Sequence, residues 1–185
     1  MIQIPATNTA PALTLRPWQS RDIPALLRAH ADPEMRRWLM RHINDEQQAQ
    51  TALADQARDW AAHTRYTFAV LTHASATADA ADDRDPIASV SIRRTEKLPE
   101  AAEVGYWTAA EARGQSVATR AVEATIQWAA KQWADDPVSR FTLIHTLGNN
   151  ASCRVAIKLG FELAEELDAH PPKFPEPGHL HVRAK

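Results

Sequence analysis

Glu111-Ala112-Arg113-Gly114-Gln115-Ser116-Val117-Ala118-Thr119-Arg120-Ala121-Val122 joins two stretches of different periodicity. Before it, Glu103 to Thr108 reads as a short strand. After it, Ala118, Val122, Thr125, Ala129 and Trp133 recur along one face, which predicts a helix from Val117 to about Trp133. The order is strand, turn, helix. A helix that starts at such a turn leaves its first backbone N–H groups without intrahelical partners and points the positive end of its dipole at whatever precedes it. Phosphate is the natural ligand for that arrangement.

Outward from this stretch, the chain alternates short strands and helices. Residues 1–11 read as a loose arm, followed by a strand at Leu13 to Arg16 that Pro17 ends. Ser20 is the expected N-cap of a helix to about Ala31, and Asp32-Pro33 opens a second through Leu39, with Trp38 and Leu39 turned inward. Asn44 or Asp45 caps a third helix to about His63. Tyr66 to Thr72 and Ile87 to Thr95 form an antiparallel pair. Between them, residues 73–86 are Ala- and Asp-rich and read as an exposed loop rather than a cation site. A turn near Pro99 precedes the strand at Glu103. Arg140 to Leu147 is a further strand, with Phe141, Leu143 and His145 on one face. A helix from Ala151 to Leu159 stops at Gly160, whose left-handed freedom lets Phe161 fold back on the last turn. Prolines beyond Leu167 prevent regular structure until a final strand, His179 to Arg183. Antiparallel strands with interleaved helices define an α+β fold with a mixed sheet, as one domain over 1–185.

Composition narrows the function. A chain of 185 residues buries about 70% of its unfolded surface without a metal or disulfide staple. A net charge of −2 and a pI near 6.4 give no broad attraction to nucleic acid. Cys153 is the one cysteine, so no intrachain disulfide forms, which suits a reducing compartment. No stretch approaches the ~18 apolar residues of a membrane span. No secretory pattern opens the chain, and the expectation is a cytoplasmic protein without membrane partners.

Arg113, Val117 and Ala118 resemble the pyrophosphate-binding loop of the GNAT family of N-acetyltransferases: Arg or Gln, two residues, Gly, one residue, then Gly or Ala. Ser116 stands where that pattern has its first glycine, and Gly114 lies two residues earlier. Asn149, Ala151, Ser152, Gly160 and Phe161 match the family's Asn-x-Ala-Ser segment and its helix ending in Gly-Phe. Leu15-Arg16-Pro17-Trp18, Asp22, Ala25-Leu26, Asp32-Pro33 and Arg37-Trp38-Leu39 are similar to the branch of ribosomal-protein N-terminal (RimJ/RimL-like) acetyltransferases.

The resemblance implies a mostly antiparallel sheet flanked by helices, whose splayed central strands hold acyl-CoA. It also implies acetyl transfer from acetyl-CoA to a primary amine by direct attack in a ternary complex, releasing CoA. Loop amides from Gln115 to Thr119 would take the pyrophosphate, with Arg113 adding charge, Thr119 a hydroxyl, and Gly114, Ser116, Val117 and Ala118 the close backbone. The strand at Trp107 and Thr108 would hydrogen-bond the pantetheine amides. Asn149 would contact the pantetheine arm, or else serve as a turn residue. Ser152 would protonate the departing thiolate, or else act only as an N-cap hydroxyl. Glu103, starting the strand that lines the cleft, is the candidate general base, with water as the alternative. The acceptor site would be built from the early helices and the loops at Trp38 to Asn44 and Pro171 to Gly178. Lack of a clear base leans toward an α-amine, whose pKa of ~7.7–8.0 leaves it partly neutral at pH 7, as in a protein N-terminus or a small amine.

Other readings carry less. A family member that holds acyl-CoA with little or no turnover is the alternative. A nucleotide phosphotransferase lacks its Gly-rich loop ending in Lys-Ser/Thr. His179 and His181 share a strand face, but no Cys or carboxylate stands at useful sequence spacing, so no metal is expected. Cys153, without a Cys–His–acid set, is expected to be buried and inert. Homodimerisation is left open.

Overall fold

A computed structural model describes residues 1–73, 84–95, 98–172 and 174–185. Most of the inserted loop at 73–86 therefore lies outside the described residues, Asp79, Asp82 and Asp83 included. Eight strands form one sheet: β1 (Ile2–Ile4), β2 (Ala12–Pro17), β3 (Arg65–His73), β4 (Ala88–Thr95), β5 (Leu98–Thr108), β6 (Arg140–Thr146), β7 (Glu162–Leu167) and β8 (Gly178–Ala184). Their order across the sheet is β1-β2-β3-β4-β5-β6-β8-β7. Every pairing is antiparallel except that of β5 with β6.

Among the described residues five helices cover the two faces: α1 (Ile23–Ala31), α2 (Pro33–Trp38), α3 (Glu46–Ala61), α4 (Val117–Gln132) and α5 (Asn150–Lys158). Strand β3 shows why both faces are covered, because its successive side chains enter different cores. Phe68 and Val70 join Val90, Ile92 and Val104 under α4, where Val117, Val122, Ile126 and Trp133 close the layer with Phe141 and Leu143 of β6. Ala69 and Leu71 instead join Trp18, Ile23, Leu26, Ala49 and Ala52 beneath α1 and α3.

Capping follows the sequence at the starts of α2 and α3. Asp32 Oδ1 accepts from the Glu34 N–H at 3.0 Å, with Pro33 opening α2, and Asp45 Oδ1 accepts from the Gln48 N–H at 2.7 Å. Gly160 has φ 72°, and the Phe161 N–H reaches back to the Ala156 carbonyl at 3.0 Å, burying Phe161. That is the C-cap expected of a Gly-Phe ending.

Four expectations need correction. Ser20 does not cap α1: residues Ser20–Asp22 form a 3-10 turn, and Asp22 is the N-cap. Asp22 rather than Ser20 sits there because its carboxylate is buried against Arg16, which donates at 2.6 and 2.9 Å, and accepts the Gln19 N–H at 2.8 Å. In α2 the buried residue is Met35, whereas Trp38 and Leu39 are half-buried. The loose arm at 1–11 contains strand β1, held antiparallel to β2 and tied to α4 through Arg120, which donates to the Pro11 carbonyl at 2.6 Å and the Pro5 carbonyl at 2.5 Å. Pro99 lies inside β5 rather than at a turn.

His30 of α1 is buried between the two sheet-covering helices and its loop, with Nδ1 accepting the Ile43 N–H at 3.3 Å and its ring edge-on to Trp107. Burial, then the charges of His42 and Arg36, push its pKa from 6.5 down to about 4. The unfolded chain therefore takes this proton first as pH falls. Stability is lost from about pH 6.5 downward and levels off near 4, with a loss on the order of 3 kcal/mol from this group. Urea unfolding at pH 7 and pH 4.5 should show a shallower pH dependence in His30→Asn than in the wild type. Equal slopes would exclude His30 as the source.

Candidate active site

The parallel pairing of β5 with β6 is short. It runs from Ala101↔Arg140 to Val104↔Leu143 and stops. Beyond it, Gly105 to Thr108 pair only with β4, and Ile144 to Thr146 pair only with β8. The two strands part, and the backbone edges that face each other across the opening have no strand partner among the described residues. Such edges need hydrogen-bond partners.

At the mouth of this opening β5 leads through a 3-10 turn, Ala110–Ala112, into the loop that starts α4. Two residues of the loop have left-handed backbones, Gly114 at φ 76° and Ser116 at φ 59°, ψ 16°. Ser116 is the N-cap of α4, yet its side chain makes no capping hydrogen bond. This explains why the family pattern has glycine there: a non-glycine residue in this region is strained by about 1 kcal/mol. The exposed Gln115 donates to the Glu111 carbonyl at 2.8 Å, while Val117 is buried and Ala118 and Thr119 are half-buried.

Arg113 is placed differently from its expected role. Its guanidinium pairs with Asp32, the N-cap of α2, and Nε donates to the Thr108 carbonyl at 3.3 Å. It ties the loop to the helices on the opposite face of the sheet. Trp107 likewise packs, with ring centroids 5.8 Å from Trp18 and 6.0 Å from His30.

The other side of the opening is the start of α5. Asn149 is its N-cap, with Oδ1 accepting the Ser152 N–H at 3.1 Å. The cap therefore uses Ser152's backbone, and the Ser152 hydroxyl is not a capping group. Tyr106 of β5 reaches toward it. Its hydroxyl is buried and makes no hydrogen bond, and burial raises its pKa to about 12. Ser152 lies close enough to oppose that shift without meeting hydrogen-bond geometry, and Cys153 is also near. Nothing local in the sequence singles out Tyr106, which only alternates with Val104 along the strand.

Glu103 has a cross-strand partner. Its carboxylate receives the Arg93 guanidinium at 3.0 and 2.9 Å across the β4–β5 ladder. It also sits opposite Thr142, in the closed part of the β5–β6 pairing. Registers place it in the last closed positions before the opening, ion-paired with Arg93. Cys153 is half-buried rather than buried, and it approaches His145, His179 and His181, partners that sequence spacing does not reveal.

Two clefts flank the helices α1 to α3, the second bordering the turn that enters the α4 loop. One of about 290 Å³ is bounded by Trp18, Leu53 and Trp60, and another of about 250 Å³ by Arg28, Asp32 and Glu111. No helix among the described residues is long and apolar enough to cross a membrane.

The fold recurs in known structures. The chain is similar to an acetyltransferase from Salmonella typhimurium that modifies the N-terminal serine of ribosomal protein L7/L12, at 16% identity, covering 99% of each chain with a TM-score of 0.76. It is similar to the ribosomal-protein-S5-alanine acetyltransferase from Vibrio fischeri, at 18% identity, covering 100% and 97% of the two chains with a TM-score of 0.78. A RimL L7/L12 acetyltransferase in complex with coenzyme A matches at 17% identity over 98% and 97%, TM-score 0.75. No curated protein matches the sequence. The acetyltransferase (GNAT) domain model matches residues 12–162. The chain therefore belongs to the GNAT family, as an acetyl-CoA-dependent N-acetyltransferase with the fold of the ribosomal-protein acetyltransferase branch.

Proposed function

We propose that the chain acetylates an α-amine, either the N-terminus of a protein or peptide or that of a small amine, by direct attack in a ternary complex. The opening between β5 and β6 beyond Val104 and Leu143 carries this reading, because it joins the α4 loop to the α5 start through the sheet. The residues there fit acyl-CoA: unpartnered strand edges suit an amide-bearing arm, and the buried hydroxyl of Tyr106 lacks a partner. When bound, acetyl-CoA supplies an activated thioester.

The chain's own groups bind and orient. N–H groups from Gln115 to Thr119 take pyrophosphate oxygens at the helix start. The backbone at Trp107 and Thr108 holds the pantetheine amides, and the Asn149 side chain, whose Oδ1 serves the cap, offers its Nδ2. Ser152 Oγ holds the proton delivered to sulfur. With Glu103 engaged by Arg93, no carboxylate described here stands ready to take the proton of the amine, which favours water and an amine already partly neutral. The exposed Ile144, on the strand face opposite His145, and the loops at Trp38 to Asn44 and Pro171 to Gly178 are the acceptor side.

Thiol release from acetyl-CoA tests this with peptides bearing free N-terminal serine or alanine, against the same peptides blocked and carrying a free lysine. Release with the free N-termini supports the reading. Tight CoA binding with no release by any amine would identify a binding protein instead.

Two variants test the loop and cap. Ser116→Gly relieves the left-handed strain, so it should raise unfolding free energy by about 1 kcal/mol and modestly tighten CoA, whereas Ser116→Ala, which keeps the strain, should weaken CoA. Calorimetry and urea unfolding on the pair decide it, and a weaker glycine variant would contradict the account. Asn149→Ala should lose about 1 kcal/mol of stability with its cap and also weaken CoA. Unchanged CoA affinity at that stability loss would assign Asn149 to capping alone.

A further inference from the structure

Beneath α5, on the face of β6 and β8 that it covers, three imidazoles and a thiol converge. The β6–β8 register pairs His145 with His179 and Leu143 with His181, so all three histidines project to one face. Cys153, in the first turn of α5, comes down on them. One ligand atom from each of the four residues lies within 4.8 Å of all the others. The Nε2 atoms of His145 and His181 face each other at 3.1 Å. Ring centroids of the three histidines are 5.1 to 5.8 Å apart.

We propose that His145, Cys153, His179 and His181 form a tetrahedral zinc site that fastens the start of α5 to β6 and β8.

Tautomers argue for an ion between the rings. His145 Nδ1 lies 3.0 Å from the Thr146 carbonyl, which only an N–H can satisfy, so His145 Nε2 presents a lone pair. A single proton shared between the two Nε2 atoms would leave His181 Nδ1 a bare acceptor. That atom is buried without a hydrogen bond, as is His179 Nδ1. A metal in place of the proton turns both facing Nε2 atoms into ligands and makes both Nδ1 atoms N–H donors, the usual outer arrangement of ligating histidines. For His181 the nearby Phe161 backbone, now outside hydrogen-bond geometry, is within reach to accept.

The donor set selects the metal. Three imidazoles with one thiolate suit a borderline-soft ion, and the absence of a carboxylate from the set disfavours calcium and magnesium. Zinc bonds of ~2.0–2.3 Å put tetrahedral donors roughly 3.4 Å apart, so the His145–His181 pair is nearly in position and the widest separation must close by about 1.4 Å. Four protein donors leave no coordination position for water, which marks a structural rather than a catalytic ion. His179 and Cys153 are half-buried and leave an entry path.

The test uses the full chain without an affinity tag, stripped by a chelator and titrated with zinc by calorimetry and with cobalt by absorption. One equivalent should bind. Cobalt should give intense tetrahedral bands and a thiolate-to-metal charge-transfer band, and zinc should raise the melting midpoint. Cys153→Ser should abolish the charge-transfer band, and His179→Ala should weaken zinc by more than the ~10–100-fold typical of losing an outer-shell partner. In chelator, Cys153→Ser and wild type should melt together and diverge only with zinc, so a role confined to packing is distinguishable. His42→Ala, at a half-buried histidine outside the cluster, should leave stoichiometry unchanged. The proposal is overturned by no saturable binding, by a cobalt spectrum without the thiolate band, or by zinc binding that survives Cys153→Ser undiminished. If His179→Ala does not fold, the Cys153→Ser arms alone decide.

Discussion

Ser152→Ala should lower kcat about 10²-fold with little change in KM, the range a positioned proton donor supplies. The separation from a structural effect is clean because the α5 cap uses the Ser152 N–H, which alanine retains, and not its hydroxyl. The melting midpoint and CoA affinity should therefore hold while turnover falls. Steady-state thiol release at saturating acetyl-CoA and peptide measures this. Tyr106→Phe is the companion variant, since it removes the neighbouring buried hydroxyl and keeps the ring. A kcat preserved in Ser152→Ala but lost in Tyr106→Phe would move the donor to the phenol, whose pKa of about 12 keeps it protonated at neutral pH.

Asp22→Ala should reduce the unfolding free energy by about 3–5 kcal/mol, because it removes the carboxylate that compensates a buried guanidinium. Arg16 and Asp22 side chains are only 5% and 3% exposed, and their two hydrogen bonds are joined by the Gln19 N–H on the same carboxylate. The loss follows from removing one partner, not from the intrinsic strength of the pair. A double replacement, Arg16→Met with Asp22→Leu, should recover most of the stability, since apolar groups of similar size require no compensation for buried charge. Urea unfolding of the three variants checks both statements. A single variant within 1 kcal/mol of wild type, in a pair this buried, would show that water reaches the site.

The elements legible in the sequence are those whose burial repeats. Strands β3 and β4 alternate two packed faces, and α4 carries Val122, Thr125 and Ala129 inward at helical spacing. Strand β7 was not legible: Glu162-Leu-Ala-Glu-Glu-Leu167 is an edge strand exposed along almost its whole length, so no period-2 signal exists. Strand β1 is only three residues and borrows its order from β2 and Arg120. Within the site, the helix starts at Ser116 and Asn149 could be read because capping and turn chemistry are local. The ion pair of Glu103 was not legible because its cross-strand partner, Arg93, is ten residues away in sequence and adjacent in space. The histidine cluster failed for the same reason: strand register, not spacing, brings His145 to His179.

The seam between β5 and β6 has a consequence for how the molecule comes apart. Strands β1 to β5 are contiguous both along the chain and across the sheet, and β6, β7 and β8 form a second contiguous block. Four paired positions hold the two blocks edge to edge, and the connection from Trp133 to Ser139 is the one covalent crossing. A chain cut there would divide one hydrophobic core, because Phe141 and Leu143 of β6 pack with Val122 and Ile126 of α4, so the two fragments should hold their folds only together. Any molecule wedged in the opening touches both fragments at once, so reassembly should report cofactor occupancy as a gain of association rather than as a catalytic signal.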